Sequence, residues 1–324
     1  MPTALIVGVT GQDGGYLAEL LTDKGYDVVG VTRDVAKATA DLPAPLQQRV
    51  MLEEWDMANS SRIVEIFDAH RPIEAYNCAA RSSGVGMFDD PAGIGAINGL
   101  AVTHLLDAIR VVDADTRFCQ ASSSEMFGEP ATSPQSETTP FNPRSPYGAA
   151  KLYAHWMVDV YRRAHGVHAC SAILFNHESP RRPLHYVTRK VSRAVASIKL
   201  GLSNELRLGS MTASRDWGFA GDYARAMWLM LQQNVADDFV VATGVAHSVR
   251  DLCEVAFAHV GLDYKQYVHS DTASYRPDER VQLVGDPRRA GARLGWEPSV
   301  NFAALVEMMV DADLANLRRA KHAL

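Results

Sequence analysis

Cysteine is scarce: Cys78, Cys119, Cys170 and Cys253 are scattered through 324 residues without a C-x-x-C pair. Neither a disulfide framework nor a thiolate metal centre is expected, and reduced, buried thiols are the plain reading. The 11 histidines show no metal-ligand spacing, so no metal is expected. No window holds about 18 uninterrupted apolar residues, and Met1 runs into a short apolar segment without a basic leader. Neither a membrane span nor a secretory signal is expected, and the chain reads as a soluble cytoplasmic protein. Positive charge is not in excess: 32 Lys and Arg against 38 Asp and Glu leave a net charge of -6. A face-wide attraction to nucleic acid or an anionic membrane is excluded, so phosphate recognition must come from a local cluster of Arg, Lys and backbone N–H groups. With 47% hydrophobic and 22% charged residues, disordered, collagen-like and coiled-coil classes drop out.

What is present alternates. Leu5 to Gly8, Asp27 to Thr32, Val50 to Glu54, Ala75 to Asn77, Arg117 to Ser122 and Ala169 to Phe175 are β-branched runs that read as strands. Between them Tyr16 to Lys24, Ser60 to Ala69, Pro91 to Val112 and Tyr147 to Arg163 carry apolar residues at three- and four-residue spacing, as helices covering a parallel sheet would. The pattern predicts an α/β fold, a doubly wound parallel sheet of Rossmann type with a smaller α/β substrate-binding domain. Pro180 and Pro183 break the pattern and a basic helix follows from about Val187 to Leu200, which places the domains at 1–175 and 176–324. The strand-like run Asp238 to Thr243 predicts that a segment of about 215–245 rejoins the first domain.

The first strand ends in Gly8-Val9-Thr10-Gly11-Gln12-Asp13-Gly14, a relative of the dinucleotide fingerprint. Its glycines allow a tight turn and close approach to a pyrophosphate, which the N–H groups of the following helix would stabilise. After the second strand, Arg33 suits a 2′-phosphate and Asp34 a ribose hydroxyl, so both NADP and NAD stay open at that position. Asp56 and Met57, after the third strand, could contact adenine. Tyr147 and Lys151 are four apart on one helix face, where an ammonium would lower the phenol's pKa and make it a usable base. Tyr186 and Lys190 share that spacing, but they are expected to lie beyond the sheet. Strand five ends in Ser122-Ser123-Ser124-Glu125, at the carboxyl edge where parallel sheets bind ligands. There Ser123 could bond a substrate oxygen beside Tyr147 and Glu125 could serve as acid and base.

These residues resemble the extended short-chain dehydrogenase/reductases, and within them most closely the GDP-mannose 4,6-dehydratase family. The likeness also runs through Pro143 to Lys151, Phe175-Asn-His-Glu-Ser-Pro180, Val187 to Lys190, Arg215-Asp-Trp217, Ala242-Thr-Gly244, Tyr275-Arg-Pro277 and Leu294-Gly-Trp296. The resemblance implies a tightly held NADP contacted by Cys78, Ala79, Ala80, Ser82, His177 and Arg182 besides the turn, Arg33, Asp56, Met57, Tyr147 and Lys151. It implies a GDP-sugar bound by Ser82, Ser124, Glu125, Asn176, Lys190, Arg215, Arg276 and Glu279. It further implies oxidation at C4 by way of Tyr147, Lys151 and Ser123, elimination of water across C5 and C6 by Glu125, and a homodimer or homotetramer. The chain departs from the family's pattern at Thr32 to Ala36, at Arg81 beside the expected nicotinamide, at Asn142 and at Ser123. A related GDP-sugar such as a GDP-manno-heptose, or a 4-epimerase or 4-keto reductase that needs no Glu125, remain as alternatives. A non-catalytic dinucleotide sensor would have no use for the proton-transfer set.

Overall fold

Apolar runs without polar alternation suit strands covered on both faces, and the first of them shows how the core is divided. In a computed structural model, which describes residues 1–82, 87–270 and 282–322, strand β1 (Thr3–Val7) sends Ala4 and Ile6 to one face and Leu5 and Val7 to the other, all at most 3% exposed. The chain continues through α1 (Gln12–Asp23), β2 (Asp27–Thr32), α2 (Val35–Asp41), α3 (Ala44–Gln47), β3 (Val50–Glu54), α4 (Ser60–His70) and β4 (Glu74–Asn77). Helix α5 (Pro91–Gly95) runs through a π-turn at Ala96–Leu100 into α6 (Ala101–Val112). The predicted strands and helices of this half are all present, and α1 starts earlier than expected, at Gln12 rather than Tyr16.

Next come β5 (Arg117–Ser123), α7 (Pro146–His165) and β6 (Ala169–Leu174). Ser145 caps α7 by accepting the Gly148 N–H at 3.0 Å, Pro146 takes the position where a missing N–H costs nothing, and Gly166 ends the helix at φ +69°. Residues 91–112 are long and apolar enough to cross a membrane, but half of that surface is buried, with Val102, Leu105, Leu106 and Ile109 in the core.

Beyond β6 the chain forms β7 (Asn176–Glu178), α8 (Val187–Lys199), β8 (Leu206–Leu208), β9 (Ser214–Phe219) and α9 (Ala220–Leu231). It ends through β10 (Phe239–Val241), β11 (Ala246–Ser248), α10 (Val249–His259), β12 (Val268–Ser270), α11 (Arg288–Leu294) and α12 (Phe302–His322). Seven parallel strands make the main sheet in the order β10-β6-β5-β4-β1-β2-β3. Strand β10 returns to pair with β6, held by Asp238, which accepts from the Ser171 N–H and from Arg162 at 2.7 Å each. Strands β7, β9 and β11 form a second sheet, and β8 pairs with β12. Helices α8, α10 and α12 enclose a separate apolar cluster. The order reverses between β1 and β4, which opens a crevice at their carboxyl ends.

Candidate active site

The floor of that crevice is the Gly-rich turn. Gly8 has φ +84°, and a Cβ there would lie 2.8 Å from the Ala79 backbone; a Cβ on Gly14 would lie 2.3 Å from the Gly8 carbonyl oxygen. Both positions therefore admit only glycine, and the first turn of α1 is drawn against the β1 end. Gly11 caps the helix in extended conformation, with Thr10 and Gly11 exposed. The turn is buttoned to the segment after β6. Gln12 Nε2 donates to the His177 carbonyl at 3.0 Å, and its Oε1 accepts from Ser179 at 2.8 Å.

His177 Nε2 meets Asp13 Oδ1 at 2.9 Å while its Nδ1 meets the Phe175 carbonyl at 2.7 Å. Two acceptors on one ring require both nitrogens to donate, so the ring is an imidazolium. Burial alone would raise the Asp13 carboxyl and lower the His177 ring; their mutual attraction reverses both, holding Asp13 below and His177 above the ordinary value. The His177 ring stacks on Tyr223 with centroids 4.7 Å apart.

The other expected cofactor contacts divide. Arg33 is exposed, while the Asp34 carboxylate accepts the Lys37 N–H at 2.9 Å and caps α2. Asp56 is exposed and Met57 only 6% exposed, its side chain in the core under the rim. Cys78 and Ala79 are half-buried; Ala80 and Ser82 are exposed. Arg81 is turned outward onto Asp90 at 2.6 Å, rather than toward the crevice as its sequence position suggests.

Above the turn, four functional groups converge. Lys151 is 2% exposed, and its ammonium donates to the Ala121 carbonyl at 2.7 Å. Burial pulls it down to about 8, and the neighbouring Cys78 and Asp13 oppose the fall. The Ser123 hydroxyl accepts the Glu125 N–H at 3.2 Å and is hydrogen-bonded to the Tyr147 phenol. Glu125 is half-buried in the short 3-10 turn Ser124–Met126, its backbone against the first turn of α7: a Cβ on Gly148 would lie 2.5 Å from the Glu125 carbonyl oxygen. Ser124 is buried at 3% exposure.

One expectation is corrected. The Lys151 ammonium lies 5.8 Å from the Tyr147 ring centroid, committed to a carbonyl, and the phenol is pushed up rather than down. Burial is the main cause; Glu125 and Tyr186 add to it, whereas the Ser123 bond and the Arg182 charge oppose it.

On the second lobe, Asn176 is half-buried opposite Trp217, Lys190 is exposed, and Arg215 donates to the Ser214 carbonyl at 2.8 Å. Arg276 and Glu279 lie outside the described residues. The Arg-Asp-Trp and Ala-Thr-Gly motifs prove to be one structural unit. Asp216, fully buried, accepts from the Thr243 N–H and hydroxyl and from the Gly244 and Gly285 N–H groups, at 2.6 to 3.2 Å. Sequence reading missed two residues. Glu178, 2% exposed, accepts from Thr188 at 2.5 Å and pairs with Arg182 at 3.1 Å. Tyr186 lies beyond the sheet, just before α8, and yet within electrostatic reach of Tyr147. Its Tyr-x-x-x-Lys spacing was a signal, but periodicity could not show that the chain folds back over the sheet edge.

A Rossmann sheet with a Gly-rich turn, and a Ser, a Tyr and a Lys gathered at its carboxyl edge, defines an extended short-chain dehydrogenase/reductase scaffold. A solved UDP-glucose 4-epimerase with UDP-glucose from Thermotoga maritima shares this fold at TM-score 0.86, with 22% identity over 97% of this chain and 99% of that one. The family model for GDP-mannose 4,6 dehydratase matches residues 5–309. This chain is 46% identical to GDP-mannose 4,6 dehydratase 1 of Arabidopsis thaliana, over 98% of its length and 91% of the relative's. It is 43% identical to GDP-mannose 4,6 dehydratase of Cricetulus griseus, over 97% and 92%. It belongs to the GDP-mannose 4,6-dehydratase family.

Proposed function

We propose that the chain converts GDP-mannose to GDP-4-dehydro-6-deoxy-mannose and water, and that Ser123, Glu125, Tyr147 and Lys151 carry the chemistry. The observation that supports this most is the position of Glu125: a half-buried carboxylate beside the Tyr147 turn, which a 4-epimerase or 4-keto reductase would not need. The cleared backbone at Gly8 and Gly14 fits a pyrophosphate at the start of α1, and the committed Asp34 leaves Arg33 to meet a 2′-phosphate, which favours NADP over NAD. NADP, when bound, supplies reversible hydride acceptance from C4 and delivery to C6. The protein's own groups move the protons.

Tyr147 takes the proton of the 4-hydroxyl while Ser123 bonds the same oxygen. Burial raises the phenol above its ordinary value against the Ser123 bond and the Arg182 charge, so its deprotonation is coupled to hydride departure from C4 in the loaded site. Lys151, fixed by Ala121, holds the ribose side. The ketone at C4 acidifies C5; Glu125 removes that proton and protonates the departing C6 hydroxyl, and C5 takes up a solvent-derived proton when C6 is reduced. With Glu125→Gln, oxidation at C4 should persist while water loss stops, read by mass spectrometry of the sugar nucleotide; dehydration at the parent rate would refute the assignment.

In this reading residues 1–175, with the returning segment, hold the cofactor, and 176–324 hold the GDP-sugar, whose nucleotide is assigned to Asn176, Lys190, Arg215, Arg276 and Glu279. The enzyme works in the cytoplasm as a homo-oligomer. Tyr153, Trp156 and Val160, on one face of α7 and each more than 40% exposed, support packing against a second copy. A monomer by light scattering would contradict that part.

A further inference from the structure

We propose that Tyr186 is a positioning residue that closes the sugar end of the crevice by bridging the second lobe to Ser82. The inference deepens the dehydratase reading and rests on it. Tyr186 is half-buried immediately before α8, and its hydroxyl lies 3.0 Å from Ser82 Oγ and donates to the Ser82 carbonyl at 3.2 Å. The partners are 104 residues apart in sequence, and Ser82 belongs to the segment that leaves β4 at the switch point of the sheet. A phenol bonded to both groups of one serine spans the crevice from lobe to lobe.

The ring is held as firmly as its hydroxyl. The Arg182 guanidinium lies 3.6 Å from the ring centroid on one side, and His185 packs with centroids 4.4 Å apart. Arg182 is itself fixed by the buried Glu178, whose carboxylate the Thr188 hydroxyl anchors from the first turn of α8. Glu178, Arg182 and Tyr186 therefore form a braced arm ending on Ser82. The arm ends on Ser82 and lies within electrostatic reach of the Tyr147 phenol, where the hexose must present its 4-hydroxyl. Its function is to hold the hexose against Tyr147 and Glu125, so the arm should matter for the intact sugar nucleotide and not for GDP alone.

Tyr186→Phe removes the hydroxyl and keeps the ring stack. The net worth of the lost hydrogen bonds predicts a KM for GDP-mannose raised roughly three- to tenfold, with a smaller change in kcat and an unchanged Kd for GDP. Ser82→Ala should raise KM as well, and the double variant should be no worse than the poorer single one. Amides at the start of α8 and at 79–82 should exchange faster in Tyr186→Phe than in the parent, and this holds whatever the substrate. An unchanged KM, a proportional loss of GDP affinity, additive effects, or unaltered exchange would each overturn the bridge. A parent protein that leaves GDP-mannose untouched would instead refute the dehydratase reading, and the exchange measurement would then decide the bridge alone.

Discussion

His177→Phe separates the buried ion pair from everything else the ring does. Phenylalanine preserves the stack on Tyr223, whose centroid lies 4.7 Å away, and deletes the bonds to Asp13 and the Phe175 carbonyl. Asp13 then remains as a carboxylate with a 20% exposed side chain and the Arg182 charge as the cationic influence still acting on it. Removing one partner of a buried pair costs roughly 3–5 kcal/mol. Two features lower that figure here. The pair is partly solvated, and Asp13 can take up a proton instead, which from an ordinary carboxylate at pH 7 sets a ceiling of about 4 kcal/mol. A loss of about 2–3 kcal/mol is expected, which corresponds to a fall in Tm of roughly 5 °C.

The pH dependence follows from the two directions. His177 titrates above its ordinary 6.5, so its contribution is complete below about that pH and is lost as pH rises through the higher native value. Asp13 titrates below its ordinary 3.8, so its contribution is complete above that and is lost as pH falls through the lower native value. Urea unfolding of the cofactor-free parent and variant should therefore differ most between about pH 4 and 6.5. Adding Asp13→Asn should restore part of the stability, because no charge is then buried. A difference below about 0.5 kcal/mol at pH 6, within the scatter of neutral substitutions, would refute the imidazolium–carboxylate assignment.

Three further outcomes follow from the same geometry. Lys151 is held near pKa 8 when folded and returns to about 10.5 when unfolded, so the unfolded chain binds the extra proton in between. The stability of the parent relative to Lys151→Met should therefore rise with pH across that window, over a fall common to both as the buried thiols ionise on unfolding, as urea titrations at pH 7.5 to 10.5 would show. Gly14→Ala places a methyl 2.3 Å from the Gly8 carbonyl oxygen, so NADP binding by calorimetry should be abolished and Tm reduced; wild-type affinity would refute the tight turn. Arg33→Ala should weaken NADP by roughly 10- to 100-fold, the loss of a charged hydrogen bond, while NAD changes little. Equal losses for the two cofactors would remove Arg33 from the 2′-phosphate site.

The first half of the chain was legible because burial on both faces of a parallel sheet leaves uninterrupted apolar runs, and covering helices leave a 3.6-residue period. Strands β2 and β3 span Asp27–Thr32 and Val50–Glu54, the bounds the sequence pattern predicts. The return of β10 was visible as an isolated apolar run among helices, although its partner could not be read. What stayed hidden depends on contacts between distant segments. Nothing in Gln12-Asp13 announces that both side chains are taken up by residues 175–179, and the Tyr147–Lys151 spacing gives a shared face without the carbonyl of Ala121 that captures the ammonium. The motif Arg215-Asp216-Trp217 was noticed for its arginine. Its aspartate, joining β9 to Thr243, Gly244 and Gly285, gives the motif its structural purpose.

If the dehydratase reading holds, one site oxidises, eliminates and reduces the same sugar ring with no outside reductant. Purified protein with bound NADP, given GDP-mannose in deuterated water and no added NADPH, should yield a sugar nucleotide lighter by one water. That product should carry solvent deuterium at C5, and total NADPH should be unchanged. An epimerised sugar of unchanged mass, or turnover only when NADPH is supplied, would contradict it.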